Sequence, residues 1–490
     1  MNRLAMMVFC LAVAGTIGCG GGTVKGDDDD GDDDGSTADA APVVTDDGGV
    51  CTPTDSCSSH GYVCGNFTDS CGATQNCAPG CSGTDVCTGA HTCMPETQGG
   101  GAHPFGTHGG YNTSGVIFPN NHSQGDLDQA TADYYDAWKA EYIEPACQSG
   151  QFRIKTGGGT GGGNDTYTVS EGHGYAMVIT AMMDGHDPQA HTTFDGLFKY
   201  FDSHHSTNTA ALMAWAQNSA CQNVEGPDSA TDGDLDVAYS LLLADRQWGS
   251  DGAIDYKAEA LKVIAGVLEG DIAPANNILV GDWVGSDDEH YKGTRPSDFM
   301  ISHFKSFAAA SGVGRWDQVV DHTYALTSYI QGHQASATGL LPGFLVDADG
   351  TTPSPAPGNW LENPSDGRYD YNACRVPFRL AVDFLMSGDA RSQTAVRKIN
   401  GWIRGAAGGN PDNIKDGYQL NGNATGNYPD LCFVSPFAVS AMVESAGGDS
   451  NQSWLNALWD NIADRDIEGY YGDSVKMQCM IVLSGNWFTP

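Results

Sequence analysis

Basic residues are scarce in this chain. Its 490 residues hold 23 lysines and arginines against 61 aspartates and glutamates, for a formal charge of −38. A surface so acidic repels nucleic acid and other anionic polymers, so a nucleic-acid partner is not expected and a neutral or cationic one is. Long apolar runs are also missing: the one between Leu4 and Val13 is too short to span a bilayer. The fourteen histidines, among them His173, His290, His303 and the pair His204–His205, fall into no ligand spacing of the HExxH kind. No catalytic metal and no cofactor is therefore expected. The Asp run near the N-terminus lacks the regular ligand loop that calcium sites use. Alternating strand patterns are few, which argues against a β architecture.

What is present divides the chain into four parts. Residues 1–18 carry Arg3, an apolar stretch and then small residues, the pattern of an export signal. The tail TIGC resembles a bacterial lipobox, which would leave Cys19 lipidated, although Thr16 stands where leucine is usual. A secreted protein or a cell-surface lipoprotein is expected. Residues 20–50 are Asp- and Gly-rich with almost nothing to bury, so an extended disordered linker is expected.

Residues 51–95 follow with eight cysteines: Cys51, Cys57, Cys64, Cys71, Cys77, Cys81, Cys87 and Cys93. In an exported chain this density implies disulfides rather than zinc, because so short a segment cannot build a sufficient apolar core. Binding to glycan or cell wall and a passive stalk are both open roles for it.

The fourth part, 96–490, patterned from about residue 103, contains all ten tryptophans, and from residue 103 onward it carries 21 basic against 47 acidic residues, a formal charge of −26. Its five cysteines, Cys147, Cys221, Cys374, Cys432 and Cys479, leave at least one unpaired within it. The stretches 131–143, 174–185, 234–248, 256–270, 297–312 and 374–388 return apolar residues at intervals of three and four, and several end in glycine. A mostly helical unit of this size with long Gly/Asn/Pro-rich connections is not a simple bundle. A helical barrel or a solenoid fits, and periodicity does not separate them.

Two acidic motifs fall at helix starts. In SEGHGY (170–175), Ser170 can cap the helix and leave Glu171 in its first turn. In SATDGDLDVAYSLLLADRQWG (229–249), Asp232, Asp234 and Asp236 lie two apart where another helix begins. Taken singly, such acids only complement a helix dipole.

Together with their surroundings the motifs match more than a cap requires. SEGHGYAM, FDGLFKY, LMAW and ATDGDLDVAYSLLLADRQWG occur in that order. They resemble glycoside hydrolase family eight, whose members cut β-1,4-linked glucan, xylan or chitosan. The similarity runs from YYDAWKAEY (134–142) to the C-terminal helices. It implies an all-α fold, an (α/α)6 barrel with an open groove, and an inverting mechanism. It implies that Glu171 is the general acid, and that Asp232 binds and distorts the sugar under attack. One physical difficulty comes with this: a helix N-terminus lowers a carboxyl pKa, whereas a general acid needs it raised. Burial and repulsion from Asp232 would have to win.

Inversion also needs a second carboxylate as base. The family's usual Asp-Ala-x-Arg is Asn372-Ala373-Cys374-Arg375 here, and Asn cannot take a proton from water. A branch of the family resembling bacterial enzymes on chitosan and mixed-linkage β-glucan has this Asn and draws a glutamate from a preceding inserted loop. The matching residue is Glu362 in NWLEN, with Asp370 the runner-up because it would share a strand face with Asn372. Tyr175, Tyr239, Trp283, Asn372 and Arg375 are expected to bind substrate, with Trp138, Trp360 and Tyr371 as further sugar-stacking candidates. The expected activity is endo-hydrolysis of chitosan first and β-glucan next, by a monomer. The alternatives are a non-catalytic glycan-binding protein on the same fold and a structural surface protein.

Overall fold

The computed structural model describes residues 101–112, 114–157, 165–444 and 451–490, with short pieces between 53 and 95. The export signal, Cys19 and the acidic linker lie outside the described residues. Two compact units divide between Gln98 and Gly99.

In the smaller unit the described residues form a helical turn, Cys57–His60, and two antiparallel hairpins, Asn66–Thr68 with Thr74–Asn76 and Asp85–Cys87 with Cys93–Pro95. Cys57 is bonded to Cys77, and Cys71 is also disulfide-bonded.

Among the described residues the larger unit has twelve helices of eleven residues or more: α1 (Gln124–Tyr142), α2 (Ser170–Met182), α3 (Ala190–Phe201), α4 (Thr231–Trp248), α5 (Tyr256–Gly270), α6 (Ile301–Ser311), α7 (Arg315–His333), α8 (Val376–Ser387), α9 (Ala390–Ala406), α10 (Leu431–Ala441), α11 (Gln452–Ala463) and α12 (Tyr470–Leu483). Local sequence sets their ends. Ser123 and Asp126 form a capping box at the start of α1, and Gly312 and Gly388 close α6 and α8 in left-handed conformations that a Cβ would strain.

The even-numbered helices pack on one another in order, α2 on α4, α4 on α6, α6 on α8, α8 on α10 and α10 on α12, and α12 returns to α2. Each odd-numbered helix packs outside an even one, α3 on α2, α5 on α4, α7 on α6, α9 on α8, α11 on α10 and α1 on α12. The burial follows from this placement. All of α10 is buried, and so is all of α2 except Glu171. Outer helices bury only one stripe, as in α9, where Ser392, Ala395, Val396, Ile399, Asn400 and Ile403 face inward.

A smaller apolar cluster lies apart from the main core. Leu279, Val280, Val284, Phe344 and Ala356 form it, and Trp283, Tyr291, Trp360 and Leu361 pack against it. It supports the connection that carries Glu362. Cys147 and Cys221 are bonded, while Cys374, Cys432 and Cys479 are buried free thiols. No helix among the described residues is long and apolar enough to cross a membrane.

Candidate active site

The glycines of SEGHGY set the geometry. A Cβ on Gly174 would stand 2.7 Å from the Asp236 Cβ, and one on Gly233 would stand 2.6 Å from the Ser170 carbonyl carbon. Only glycine lets α2 and α4 approach this closely, and their approach puts Glu171 and Asp232 side by side. Gly172 serves α12 in the same way, since a Cβ there would meet the Tyr470 hydroxyl at 2.7 Å. The start of α2 is fixed by the Thr166–Val169 strand, paired with Ala216–Asn218, and by the Ser170 N–H donating to the Trp215 carbonyl. Ser170 is not the cap expected from sequence: Val169 holds that position and no side chain caps the helix.

Arg375 joins the two acids. Its Nη1 donates to Glu171 Oε2 at 2.9 Å, Asp232 Oδ2 at 3.0 Å and the Tyr175 hydroxyl at 2.6 Å, and its Nη2 donates to Ser297 Oγ at 3.0 Å. Tyr470 donates to the other Glu171 oxygen at 2.8 Å. A second guanidinium, Arg295, lies 2.9 Å from Asp232 Oδ2 and is held in turn by Asp298 at 3.0 Å. Side-chain exposure is 20 % for Glu171 and 2 % for Asp232, so the glutamate is the one open to a ligand.

Burial pushes the Glu171 carboxyl up to about 7; Arg375 opposes the rise and Asp232 adds to it. Burial also works against charge on Asp232, but Arg295 and Arg375 overcome it and hold that carboxyl well below the usual range. Near neutral pH one acid of the pair can therefore keep a proton while the other stays ionised. The helix dipole does not prevent this.

Glu362 belongs to the same constellation. Asn372 Nδ2 donates to its Oε2 at 2.6 Å. Burial pushes its carboxyl up, Arg295 and Asn372 oppose, and Asp366 and Asp232 add to the rise. Asp370 lies elsewhere: it accepts from the Tyr371 N–H at 2.8 Å, and the charged groups acting on it are Asp416 and Arg368.

Several sequence expectations for the aromatics do not hold. Tyr239 is fully buried, its ring stacked on His303 at 3.7 Å, so no face is free for a sugar. Trp138 is also fully buried, donating to Ser474 Oγ at 3.0 Å. Tyr175 is buried beneath Arg375 and reaches the site only through it. All three follow from helical spacing, which turns large apolar side chains into core. Trp283 and Trp360 are half-buried on the second cluster, and Tyr371 is half-buried with its hydroxyl toward Tyr428 at 3.2 Å.

Asp234 and Asp236 turn away from the site. Asp234 accepts the Met213 N–H, and Asp236 is held by Arg379 at 2.6 Å and His303 at 2.8 Å. His173 is a buried residue at 2.9 Å from the Leu197 carbonyl. Among the described residues no group of three or more His, Cys, Asp or Glu side chains is placed to hold a metal ion.

Sequence reasoning missed Arg295, Ser297, Asp298, Asp366 and Tyr470. The one available signal was the rarity of basic residues, which makes Arg295, in the short segment TRPSDF, conspicuous.

Residues 123–484 match the family model for glycosyl hydrolases family 8. The chain belongs to glycosyl hydrolase family 8. It is a glycoside hydrolase, as its resemblance implied, and not a non-catalytic receptor. A β-glucanase of Niallia circulans is 46 % identical over 387 residues, spanning 79 % of this chain and 91 % of that protein. An endoglucanase of Bacillus sp. strain KSM-330 is 38 % identical over 77 % of this chain and 81 % of its own. Among solved structures, the apo β-1,3-1,4-glucanase from Paenibacillus sp. X4 superimposes with a TM-score of 0.74 at 45 % identity, covering 79 % of this chain and 99 % of that one. A cold-adapted family 8 xylanase shares the fold at 19 % identity, with a TM-score of 0.62 over 77 % of this chain and 98 % of its own.

Proposed function

We propose that this protein is an inverting endo-hydrolase of β-linked glucan, working on an (α/α)6 barrel. The closed sequence of inner helix contacts, each backed by an outer helix, supports the barrel. One observation carries the chemistry: Glu171, raised to about 7, stands beside an Asp232 held ionised by two guanidiniums.

In this reading the Glu171 carboxyl gives its proton to the glycosidic oxygen as the bond to the anomeric carbon breaks. Water attacks that carbon from the opposite face, and Glu362 takes the proton it releases. An inverting pair of this kind stands about 6.5–9.5 Å apart so that water fits between the base and the sugar. Asp232 stays charged throughout and accepts from the sugar hydroxyls or supports the positive ring of the transition state. Arg375 keeps both acids in place. Asn372 holds Glu362 by the amide and does not act on the proton itself.

Mixed-linkage β-glucan is the substrate inferred first, because the relatives at 46 % and 45 % identity are named for β-glucan. Chitosan is second, carried by the −26 charge of the larger unit, which suits a cationic polymer. The deciding experiment is reducing-end release from lichenan, chitosan, carboxymethylcellulose and xylan side by side, with the anomer of the first product followed by NMR. Release of the β-anomer first would overturn inversion, and no release from lichenan would overturn the glucan assignment. We also propose an exported monomer held at the cell surface through a lipid on Cys19, on the strength of the TIGC sequence.

A further inference from the structure

Glu362 presents a problem that its chemistry does not solve. A base must be held to a fraction of an ångström, and sites on regular elements are easier to hold than sites on loops. Glu362 sits on a connection whose one regular feature, Ser354–Pro355 paired with Leu345–Val346, is two residues long. Asn372 grips its carboxylate, but nothing in that contact shapes the backbone.

The backbone is shaped from Asp366. Its Oδ2 accepts the N–H groups of Leu361 at 2.8 Å and Glu362 at 3.1 Å, and its Oδ1 accepts that of Asn363 at 3.0 Å. Three successive amides thus converge on one carboxylate that is 2 % exposed. Asp366 is itself anchored, its N–H donating to the Asn363 carbonyl at 3.2 Å and its carbonyl accepting from Phe344 at 2.8 Å. The next residue must be glycine, since a Cβ on Gly367 would stand 2.2 Å from the Ala356 oxygen.

The other side of the turn is tied by His290. Its Nε2 donates to the Trp360 carbonyl at 2.9 Å, two residues before Glu362, while Nδ1 lies 2.6 Å from Asp288 Oδ1. The Trp360 ring lies against Gly293, where a Cβ would come within 2.3 Å of it.

We propose that Asp366, backed by His290, is the positioning residue for Glu362, gathering three backbone amides into the turn that presents the base to the groove. This rests on the assignment of Glu362 as base. The arrangement has an electrostatic consequence that a purely structural turn would lack. The charged groups facing Glu362 are Arg295, Asp366 and Asp232, with the Asn372 amide, and Asp366 is one of those that raise the Glu362 carboxyl. Removing its charge lowers the pKa of the base. A base works when deprotonated, so the acidic limb of the rate profile moves to lower pH.

The test is Asp366→Asn, measured beside Glu362→Gln in kcat, KM and the pH dependence of kcat/KM. An asparagine has one acceptor oxygen for three amides, and a displacement of about 1 Å can cost roughly 10²-fold in rate. We expect Asp366→Asn to lose roughly 10- to 100-fold in kcat, to change KM by less than about threefold, and to shift its acidic limb downward. Wild-type kcat, or a loss with that limb unmoved, overturns the proposal. Should Glu362→Gln keep its turnover, the base assignment falls and the positioning role falls with it. An inactive Glu362→Gln beside an unimpaired Asp366→Asn removes the positioning role alone. If Asp366→Asn does not fold, His290 decides: His290→Ala should lose kcat and His290→Gln, whose amide can still donate to Trp360, should recover much of it. Full activity in His290→Ala overturns the proposal.

Discussion

Removing the hydroxyl of Tyr470 should extend the enzyme's activity toward higher pH. Tyr470 donates to Glu171 Oε1 at 2.8 Å, and this bond favours the ionised form of the acid. Tyr470→Phe keeps the ring and its edge contact with Tyr142, whose centroid lies 6.3 Å away, so the change is confined to one hydrogen bond. Hydrogen bonds to charged groups contribute about 1.5–3 kcal/mol, and about 1.4 kcal/mol corresponds to one pKa unit. Glu171 is 20 % exposed and Arg375 still holds its other oxygen, so the lower end applies. The Glu171 carboxyl should rise by about one unit.

The sign follows from the role. A general acid works while protonated, so a higher pKa moves the alkaline limb of kcat/KM up, from near 7 to about 8. At pH 8 the variant would hold its proton in about half of the molecules and the parent in about a tenth, a relative gain of about fivefold on that limb. The assay is reducing-end release from soluble β-glucan between pH 5 and pH 9, about one half-unit apart, at substrate well below KM. A limb that stays in place, or moves to lower pH, would refute both the acid role of Glu171 and the account of its pKa.

Three further sets of variants test the rest. Glu171→Gln and Glu362→Gln should each lose at least about 10²-fold in kcat, the lower scale for a general acid or base, with glycan binding retained, whereas Asp370→Asn should do much less; equal damage from Asp370→Asn would move the base there. Arg379→Met strands the fully buried Asp236, because His303 is pushed down to about 4 by burial and is no cation at neutral pH. It should cost about 3–5 kcal/mol by chemical denaturation, and Arg379→Met with Asp236→Asn should recover part of it. Cys19→Ser should release the protein from membranes or block its processing, since the acyl chains supply the anchoring energy; equal membrane recovery of variant and parent would remove the lipid anchor.

What the sequence revealed and what it hid follow physical lines. The six stretches of helical spacing overlap helices α1, α2, α4, α5, α6 and α8; in α1 and α5 the spacing is that of one buried stripe, while α2 and α4 are buried nearly all round. Helix α10 left no such trace: Pro436 lies inside it and interrupts the helical pattern. Glu171 and Asp232 were legible because each sits inside a long motif. Of their partners, Arg375 was legible as a site residue from the Asn372-Ala373-Cys374-Arg375 motif, but Tyr470, 299 positions along the chain from Glu171, was not, since nothing in its stretch says what it folds against. Tyr239 and Trp138 erred in the opposite direction, being conspicuous residues that face the core. The glycines of SEGHGY could be seen but not understood until α4 and α12 were found against them.

The helix-dipole difficulty resolves through burial at Glu171 and through cations at Asp232. Glu171 and Asp232 both occupy the first turn of an inner helix, so the dipole acts on each in the same direction and cannot separate them. Both are also enclosed, which raises both. What differs is the partners. Asp232 Oδ2 takes two guanidiniums, Arg295 and Arg375, and its Oδ1 takes the Gly233 N–H at 3.0 Å. Glu171 shares one of those guanidiniums and has otherwise a phenol. Placing the second arginine on the Asp232 side leaves one carboxyl that is ionised at any working pH, and its charge then helps to keep the proton on the other. In a chain with only 23 basic residues, two of them gathered at one aspartate keep it ionised, beside a glutamate that burial holds protonated.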